Sequence, residues 1–303
     1  MVPVLAAADL QAGASAGSLA GETDLGVWQT CWHYLVLGVV QGITEFLPIS
    51  SSAHLKVVPV VLGWGDPGVA VTATIQLGSI VAVIAFFWRD LQQVVQAVAQ
   101  AWRRGDWSAP SARLGVAIAI GTLPIVVVGL AIKKFVPDYD HSPLRSLTSI
   151  GVVSIVMALL LALAEQVGRR RRMLDQVRPL DGLWVGLAQA LAVIPGVSRS
   201  GSTLTASLFD GWNRSDAARF SFLLGIPAIT LSGLVEFKDA LHQPMAGGVV
   251  PLVVGIASAL VVSWAAIAWL LAFLQRHSTW WFVGYRLVFG ASLLLWLGRG
   301  AGG

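Results

Sequence analysis

The chain has 303 residues, of which 56% are hydrophobic and only 12% are charged, and its net charge is +4. A soluble domain carries about 25% charged residues, so this composition excludes an ordinary soluble protein and indicates one embedded in lipid. The single cysteine, Cys31, excludes an internal disulfide framework. The excess positive charge is arginine spread over several loops, which argues against nucleic-acid binding and makes anionic lipid headgroups the expected partner.

The first 26 residues contain no lysine or arginine. They also lack the basic start and apolar core of a secretory signal, so residues 1–26 are predicted to be a disordered extension. A single membrane domain, residues 27–303, follows. The lengths of its six predicted spans are close to or above the roughly 20 apolar residues that are needed to cross a bilayer. In chain order they cover 69–88, 114–132, 147–164, 217–235, 249–274 and 282–297.

Two further apolar segments, 27–64 and 182–209, are interrupted near their middle by a proline and a run of serines. The prolines are Pro48 and Pro195. A proline and several hydroxyls at mid-membrane depth free backbone groups that lipid cannot satisfy, so we predict a re-entrant hairpin of two half-helices for each segment. A proline-kinked spanning helix is the alternative. The predicted fold is an all-α integral membrane protein with six transmembrane helices and two re-entrant hairpins.

Arginines are concentrated in every second link between the spans. These links hold Arg89, Arg103, Arg104, Arg113, Arg169, Arg170, Arg171, Arg172 and Arg178, with Arg276 and Arg286 around the fifth link. The other side holds only Lys133, Lys134, Arg145 and Lys238. By the positive-inside rule the arginine-rich side is cytoplasmic, so the first hairpin is predicted to open to the outside.

The two interrupted segments match one another at a constant offset. The matching residues are Gly38 with Gly186, Gln41 with Gln189, Ser50 with Ser198 and Ser52 with Ser200. Each hairpin precedes three spans, and an odd number of spans turns the second copy upside down. We therefore predict an inverted repeat, with copies at about 27–165 and 182–298, whose hairpins meet near the membrane midplane.

The serines that follow each break predict an anion site. They precede a new apolar run, where a serine caps a helix N-terminus, and such a terminus binds anions through its free N–H groups and its dipole. Gly196 and Gly201 allow close approach of the backbone, and Arg199 adds a planar fork that suits phosphate oxygens. Two such termini from opposite faces suit a ligand with two anionic groups, so we expect a phosphate or diphosphate site.

The first break carries the parts of an activated nucleophile. Gln41 and Glu45 are four residues apart and project from one helix face. His54 shares a face with the Ser51 hydroxyl on the helix that follows, and a hydroxyl, an imidazole and a carboxylate together form such a nucleophile. The alternative is that Glu45 only pairs with Arg199, which would make the burial of both charges tolerable.

Two motifs resemble those of the undecaprenyl-diphosphatase (bacitracin-resistance) family of bacterial membrane enzymes. They are Gln-x-x-x-Glu-Phe-Leu-Pro-x-Ser-Ser-x-x-His at 41–54 and Pro-Gly-x-Ser-Arg-Ser-x-x-Thr at 195–203, and the resemblance extends over about 32–297. It implies removal of the terminal phosphate from undecaprenyl diphosphate at the outer side of the cytoplasmic membrane. This reaction recycles the lipid carrier for peptidoglycan and other wall polymers and confers bacitracin resistance.

The resemblance also implies a divalent cation, Mg²⁺ or Ca²⁺, with Glu45 as its protein ligand. One carboxylate fits a cation that keeps several waters and takes phosphate oxygens from the substrate. The family has Glu or Gln at the position of Gln41, and the amide in this chain argues against a metal site built on paired carboxylates.

The expected mechanism places the diphosphate between the two helix ends, where Arg199 binds it. Ser51 attacks the terminal phosphorus, with His54 as base or acid. Glu45 orients the imidazole or holds the cation. Attack by His54 itself, or by water that it activates, stays open. The expected substrate-binding residues are Gln41, Ser50, Gly196, Ser198, Ser200, Gly201 and Thr203.

A transporter is the rival interpretation, because inverted repeats with broken helices also occur in transporters. Such a protein would flip undecaprenyl phosphate, alone or in addition to hydrolysis. The set of serine, histidine and glutamate favours the enzyme, since a flippase does not need it. A non-catalytic lipid-binding scaffold would leave these costly polar residues unexplained. The sequence leaves open whether the protein forms a homodimer.

Overall fold

The computed structural model describes residues 26–136, 139, 142–240 and 248–300. The predicted N-terminal extension lies outside these residues except for its last one. The described residues form eleven α-helices, and their only β-pairing is one isolated bridge. In chain order the helices are α1 (Val27–Phe46), α2 (Ser51–Val61), α3 (Gly68–Phe86), α4 (Trp88–Arg104), α5 (Pro110–Phe135), α6 (Leu147–Val167), α7 (Pro179–Ala190), α8 (Arg199–Phe209), α9 (Arg214–Ala240), α10 (Val249–Arg276) and α11 (Trp280–Gly298).

Six of these helices are long and apolar enough to cross a membrane, namely α3, α5, α6, α9, α10 and α11. A helix satisfies all of its backbone hydrogen bonds internally, which is why long apolar runs adopt this form in lipid. The six helices coincide with the six predicted spans. The prediction of an all-helical, multi-pass membrane protein is therefore confirmed.

Both predicted breaks are present, and their local structures match. The first separates α1 from α2 and the second separates α7 from α8. Ser50 and Ser198 cap the helices that follow, because their side-chain oxygens accept the N–H of Ala53 at 3.4 Å and of Gly201 at 3.1 Å. Both serines also have a positive φ, 78° and 70°, which is unfavourable for a residue other than glycine and is concentrated at functional sites.

Corresponding helices of the two halves pack in corresponding ways. α1 packs on α10, and its counterpart in the second half, α7, packs on α5, which is the counterpart of α10. α6 packs on its own counterpart, α11, and α3 packs on its own counterpart, α9. Glycines allow these backbones to come close. A Cβ on Gly38 would lie 2.4 Å from the carbonyl oxygen of Gly255, and one on Gly186 would lie 2.3 Å from that of Gly121. These matches agree with the predicted repeat.

The second helices of the two interrupted segments, α2 and α8, contact opposite ends of α6. Just before α6 begins, Lys56 of α2 donates a hydrogen bond to the Arg145 carbonyl at 2.8 Å. Just after α6 ends, Gly168 lies so close to α8 that a Cβ there would be 2.5 Å from the Leu208 carbonyl oxygen. α2 and α8 thus contact residues at opposite ends of α6. The inversion of the two hairpins across a membrane and their re-entrant character stay predictions.

The link between the first two spans contains a helix, α4, that was not predicted. It begins at Trp88, which was assigned to the first span, and it stops at Gly105, whose φ of 69° ends the helix in a left-handed residue. Its apolar and polar residues lie on different faces. A search for uniformly apolar runs misses such a helix because its many polar residues lower the mean hydropathy.

Candidate active site

Glu45, in the last turn of α1, is the centre of a hydrogen-bonded cluster between the two breaks. Its Oε2 accepts hydrogen bonds from Ser51 Oγ at 2.6 Å and from Gln41 Nε2 at 3.1 Å, and its Oε1 accepts one from Arg199 Nη2 at 3.3 Å. Only 9% of Glu45 is exposed. A carboxylate buried among apolar helices is stable because these donors satisfy it. The fold thus brings three predicted catalytic residues together.

Ser51 lies at the start of α2 with its hydroxyl against the Glu45 carboxylate. It is the first residue of α2 and is half-buried, and its hydroxyl donates to the carboxylate that can take its proton. The distance of 2.6 Å to Glu45 is typical of a charge-assisted O–H···O bond. The first N–H groups of α2 have no acceptor within the helix, so those that Ser50 does not cap can stabilise negative charge beside this hydroxyl.

Arg199 has donors that no described residue accepts. Its Nη2 contacts Glu45, whereas Nε and Nη1 are buried and have no hydrogen-bond partner among the residues that the structure describes. Nη1 lies in a notch at Gly225 of α9, where a Cβ would come within 1.7 Å of it. Buried donors without an acceptor cost free energy. Arg199 is therefore prepared for an anion that would accept hydrogen bonds from them.

The serines of the two breaks hold the hairpins together. Ser200 Oγ donates to the Leu47 carbonyl at 3.0 Å, which joins the second break to the first. Ser198 Oγ lies 3.2 Å from Ser200 Oγ, and Ser50 Oγ lies at the same distance from Ser52 Oγ. Ser50, Ser198 and Ser200, which are predicted to bind the substrate, use their hydroxyls for contacts within the protein. Their contribution to the site is the orientation of the two helix N-termini.

Thr203 faces away from the cluster. It is fully buried, its Oγ1 donates to the Arg199 carbonyl at 2.8 Å, and it is also hydrogen-bonded to Ser221 of α9. Gly196 and Gly201 lie in and just after the second break. Gly196 has a φ of 93°, which only glycine adopts readily. Among these three predicted binding residues, the glycines therefore shape the break and Thr203 fixes α8 to α9.

His54 has no hydrogen bond to Ser51 or Glu45. Its Nδ1 donates to the Ser50 carbonyl at 2.7 Å, and its Nε2 lies 2.6 Å from the hydroxyl of Tyr285 on α11. With Nδ1 protonated, the neutral imidazole accepts a hydrogen bond at Nε2 from the tyrosine hydroxyl. The predicted contact in which Glu45 orients His54 is thus absent, because the ring of His54 packs toward α11 instead.

Arg286 is a site residue that the sequence analysis missed. It was assigned to the surroundings of a cytoplasmic link, which is wrong, since it lies within α11 and only 1% of it is exposed. Its guanidinium donates to carbonyls of both breaks, at 3.1 Å to Pro48, 3.1 Å to Val197 and 2.6 Å to Gly196. A signal was available, because a charged residue inside the predicted span 282–297 is costly in lipid.

The cluster around Glu45 contains few oxygen atoms that could act as ligands of a metal ion. Within the part of the chain that the structure describes, no three His, Cys, Asp or Glu side chains form a group that could hold a metal. The cluster offers the Glu45 carboxylate and the Ser51 hydroxyl. This set fits Mg²⁺ or Ca²⁺ only if water and substrate oxygens complete the coordination.

Known proteins match the chain over almost all of its length. The family described as "Bacitracin resistance protein BacA" matches residues 34–292. An undecaprenyl-diphosphatase of Parasynechococcus marenigrum (strain WH8102) is 70% identical over 276 residues, which cover 91% of this chain and 96% of the relative. The undecaprenyl-diphosphatase of Synechococcus sp. (strain WH7803) is 69% identical, over 90% of this chain and 96% of the relative. That of Prochlorococcus marinus (strain MIT 9303) is 68% identical, over 88% of this chain and 91% of the relative.

Proposed function

The chain belongs to the bacitracin resistance protein BacA family, and we propose that it is an undecaprenyl-diphosphatase. It hydrolyses undecaprenyl diphosphate to undecaprenyl phosphate and inorganic phosphate, which recycles the lipid carrier for peptidoglycan synthesis and confers bacitracin resistance. The observation that carries the proposal is the 2.6 Å hydrogen bond from Ser51 to Glu45, made beside the unused donors of Arg199. A nucleophile, a proton acceptor and a phosphate-binding group thus meet in one cluster.

Substrate binding uses the two helix N-termini and Arg199. The free N–H groups at the starts of α2 and α8 and the two unpartnered N–H donors of Arg199 donate hydrogen bonds to the oxygens of the diphosphate. A divalent cation held by Glu45 and the Ser51 hydroxyl would neutralise further phosphate charge. Phosphoryl transfer depends mainly on such positioning and charge neutralisation, so a preformed set of donors is what the reaction requires.

In the chemical step, Ser51 Oγ bonds to the terminal phosphorus while the bond from that phosphorus to the bridging oxygen breaks. Glu45 takes the serine proton and passes it to the departing undecaprenyl phosphate. Water then attacks the phosphoserine, and Glu45 transfers a proton from this water back to the serine oxygen as inorganic phosphate is released. Glu45 is assigned as the base because it contacts Ser51, whereas His54 does not.

The site is proposed to face the outside of the bacterial cytoplasmic membrane, with both breaks as re-entrant hairpins. The support is the arginine distribution together with the contacts of α2 and α8 at opposite ends of α6. The polar breaks are enclosed by helices, as backbone that leaves the helical form inside a membrane must be. The Arg286 hydrogen bonds to both breaks fit this arrangement.

Purified protein with undecaprenyl diphosphate tests the function. We expect release of inorganic phosphate and formation of undecaprenyl phosphate. The matched halves of the chain also suit a flippase, so the same preparation is reconstituted in liposomes with labelled undecaprenyl phosphate. Transfer of the label across the bilayer without phosphate release from the diphosphate would contradict the enzyme and support the flippase.

A further inference from the structure

Helix α4 has three distinct faces, and among the described residues only one of them packs against other helices, while Trp102 of the second face also contacts Trp107 in the loop that follows. On that face Val94 and Val98 lie against Gly115 of α5, where a Cβ would come within 3.0 Å of Val94 Cγ1 and 2.5 Å of Val98 Cγ2. Asp90 adds an ion pair with Arg219 of α9. α4 is therefore fixed to the bundle along one side, which leaves its other two faces to the surroundings.

The second face is an exposed apolar stripe. Trp88, Val95 and Trp102 are 55%, 66% and 80% exposed. They are spaced seven residues apart, which places them nearly in line along a helix. Two tryptophans and a valine in such a line form an apolar surface that extends about two helical turns to either side of Val95. Tryptophan at both ends is typical of a surface at the boundary between lipid and water.

The third face is polar and cationic. The same seven-residue spacing recurs one position further along the chain, in a line beside the stripe that consists of Arg89, Gln96 and Arg103. Arg104 follows at the C-terminus of the helix, and all four residues are exposed. α4 has 17 residues and is absent from the helices that could span a membrane. A helix with one apolar face, one basic face and low overall hydropathy lies in the plane of a membrane interface.

The position of α4 places it at the arginine-rich end of the bundle. It directly follows α3, and its Asp90 meets α9 close to the start of that helix. The second half has no room for a counterpart, because only eight residues separate Ala240 from Val249. α4 is thus an addition to the repeat and contributes no side chain to the cluster around Glu45.

We propose that α4 lies in the membrane interface and binds anionic phospholipid headgroups. The stripe of Trp88, Val95 and Trp102 enters the acyl region, and the guanidinium groups of Arg89, Arg103 and Arg104 pair with headgroup phosphates and other negative charges. Each arginine near an anionic surface adds to the attraction, and the attraction is screened by salt. The partner is a lipid surface and not the isoprenoid substrate.

Thermal unfolding with added lipid tests this proposal on the full-length protein. Protein delipidated in an uncharged detergent is supplied with phosphatidylglycerol or phosphatidylcholine, and the Tm is measured. We expect phosphatidylglycerol to raise Tm more than phosphatidylcholine in the wild type, and high salt to reduce the difference. In the triple variant R89Q/R103Q/R104Q most of this difference is lost, while phosphate release in detergent stays at the wild-type level.

The matched control is R169Q/R171Q/R276Q, which removes the same charge from exposed arginines at the same end of the bundle but outside α4. This variant should keep the preference for phosphatidylglycerol. An equal loss in both triple variants would overturn the proposal, because net charge alone would then explain it. So would a wild type that responds equally to the two lipids. Neither result would affect the proposed enzymatic function, which is measured separately by phosphate release.

Discussion

Gly225 leaves the space that the guanidinium of Arg199 occupies. A Cβ at Gly225 would lie 1.7 Å from Arg199 Nη1 and 2.8 Å from Cζ, closer than real Cβ atoms approach a neighbour. The two residues belong to different helices, α9 and α8. The notch holds the guanidinium where Nη2 reaches Glu45 and where Nε and Nη1 keep free donors.

Gly225→Ala should therefore reduce phosphate release without unfolding the protein. The new methyl group displaces the far end of a flexible side chain, and a shift of about 1 Å in a positioning group can cost about 100-fold in rate. Alanine favours a helix interior over glycine, so Tm should not fall. Steady-state phosphate release and thermal unfolding check both points. The control is Gly129→Ala on α5, where a Cβ meets nothing within 4 Å.

A double-mutant cycle separates this effect from a general disturbance of α9. In the Arg199→Lys background the forked end of the side chain is gone, so Gly225→Ala should cost little further activity. Equal losses from Gly225→Ala in the wild-type and Arg199→Lys backgrounds would show that the glycine acts by another route.

Arg286→Met should destabilise the protein and lower its activity together. The substitution keeps much of the apolar bulk but leaves the Pro48, Gly196 and Val197 carbonyls without their donor, and each buried unsatisfied group costs about 1–3 kcal/mol. Tm and phosphate release measure the two effects. Arg276→Met, at an exposed position near the end of α10, is the control and should change neither quantity.

Glu45→Gln should lower the turnover rate by about 100-fold or more, because the amide keeps the shape but cannot accept the Ser51 proton. The control is Asp175→Asn, which makes the same kind of change at an exposed carboxylate outside the cluster and should stay active. The readout is kcat for phosphate release. Wild-type turnover by Glu45→Gln would remove Glu45 as the base.

Tyr285→Phe tests whether His54, which is neither base nor acid in the proposed mechanism, positions the start of α2 through its hydrogen bond to the Ser50 carbonyl. Loss of one hydrogen bond to Nε2 should reduce activity by up to about tenfold, and His54→Ala should reduce it more severely. Phosphate release measured across a range of pH distinguishes the variants. If His54→Ala were as active as the wild type, the hydrogen bond from His54 to the Ser50 carbonyl would not be needed to position Ser51, and Tyr285 would only pack against the imidazole ring.

The sequence was sufficient for features that depend on local pattern. The apolar runs predicted all six spans, and the serines after each proline predicted caps that Ser50 and Ser198 form. It was not sufficient for contacts between distant elements. Nothing in the spacing around His54 indicates that its ring packs toward Tyr285, 231 residues away, rather than toward Glu45. Arg286 likewise meets both breaks only because α11 packs beside them.

The most direct test of the account is the capture of the phosphorylated enzyme. Protein mixed with undecaprenyl diphosphate labelled in its terminal phosphate is quenched in acid within a turnover, and the label is located by peptide mass spectrometry. Phosphoserine is expected at Ser51. It should still form in Ser52→Ala, because the Ser52 hydroxyl is hydrogen-bonded to Ser50 and not to Glu45, and it should be absent in Ser51→Ala, which should also be inactive. Rapid phosphate release by Ser51→Ala, with no label on the protein, would contradict the account.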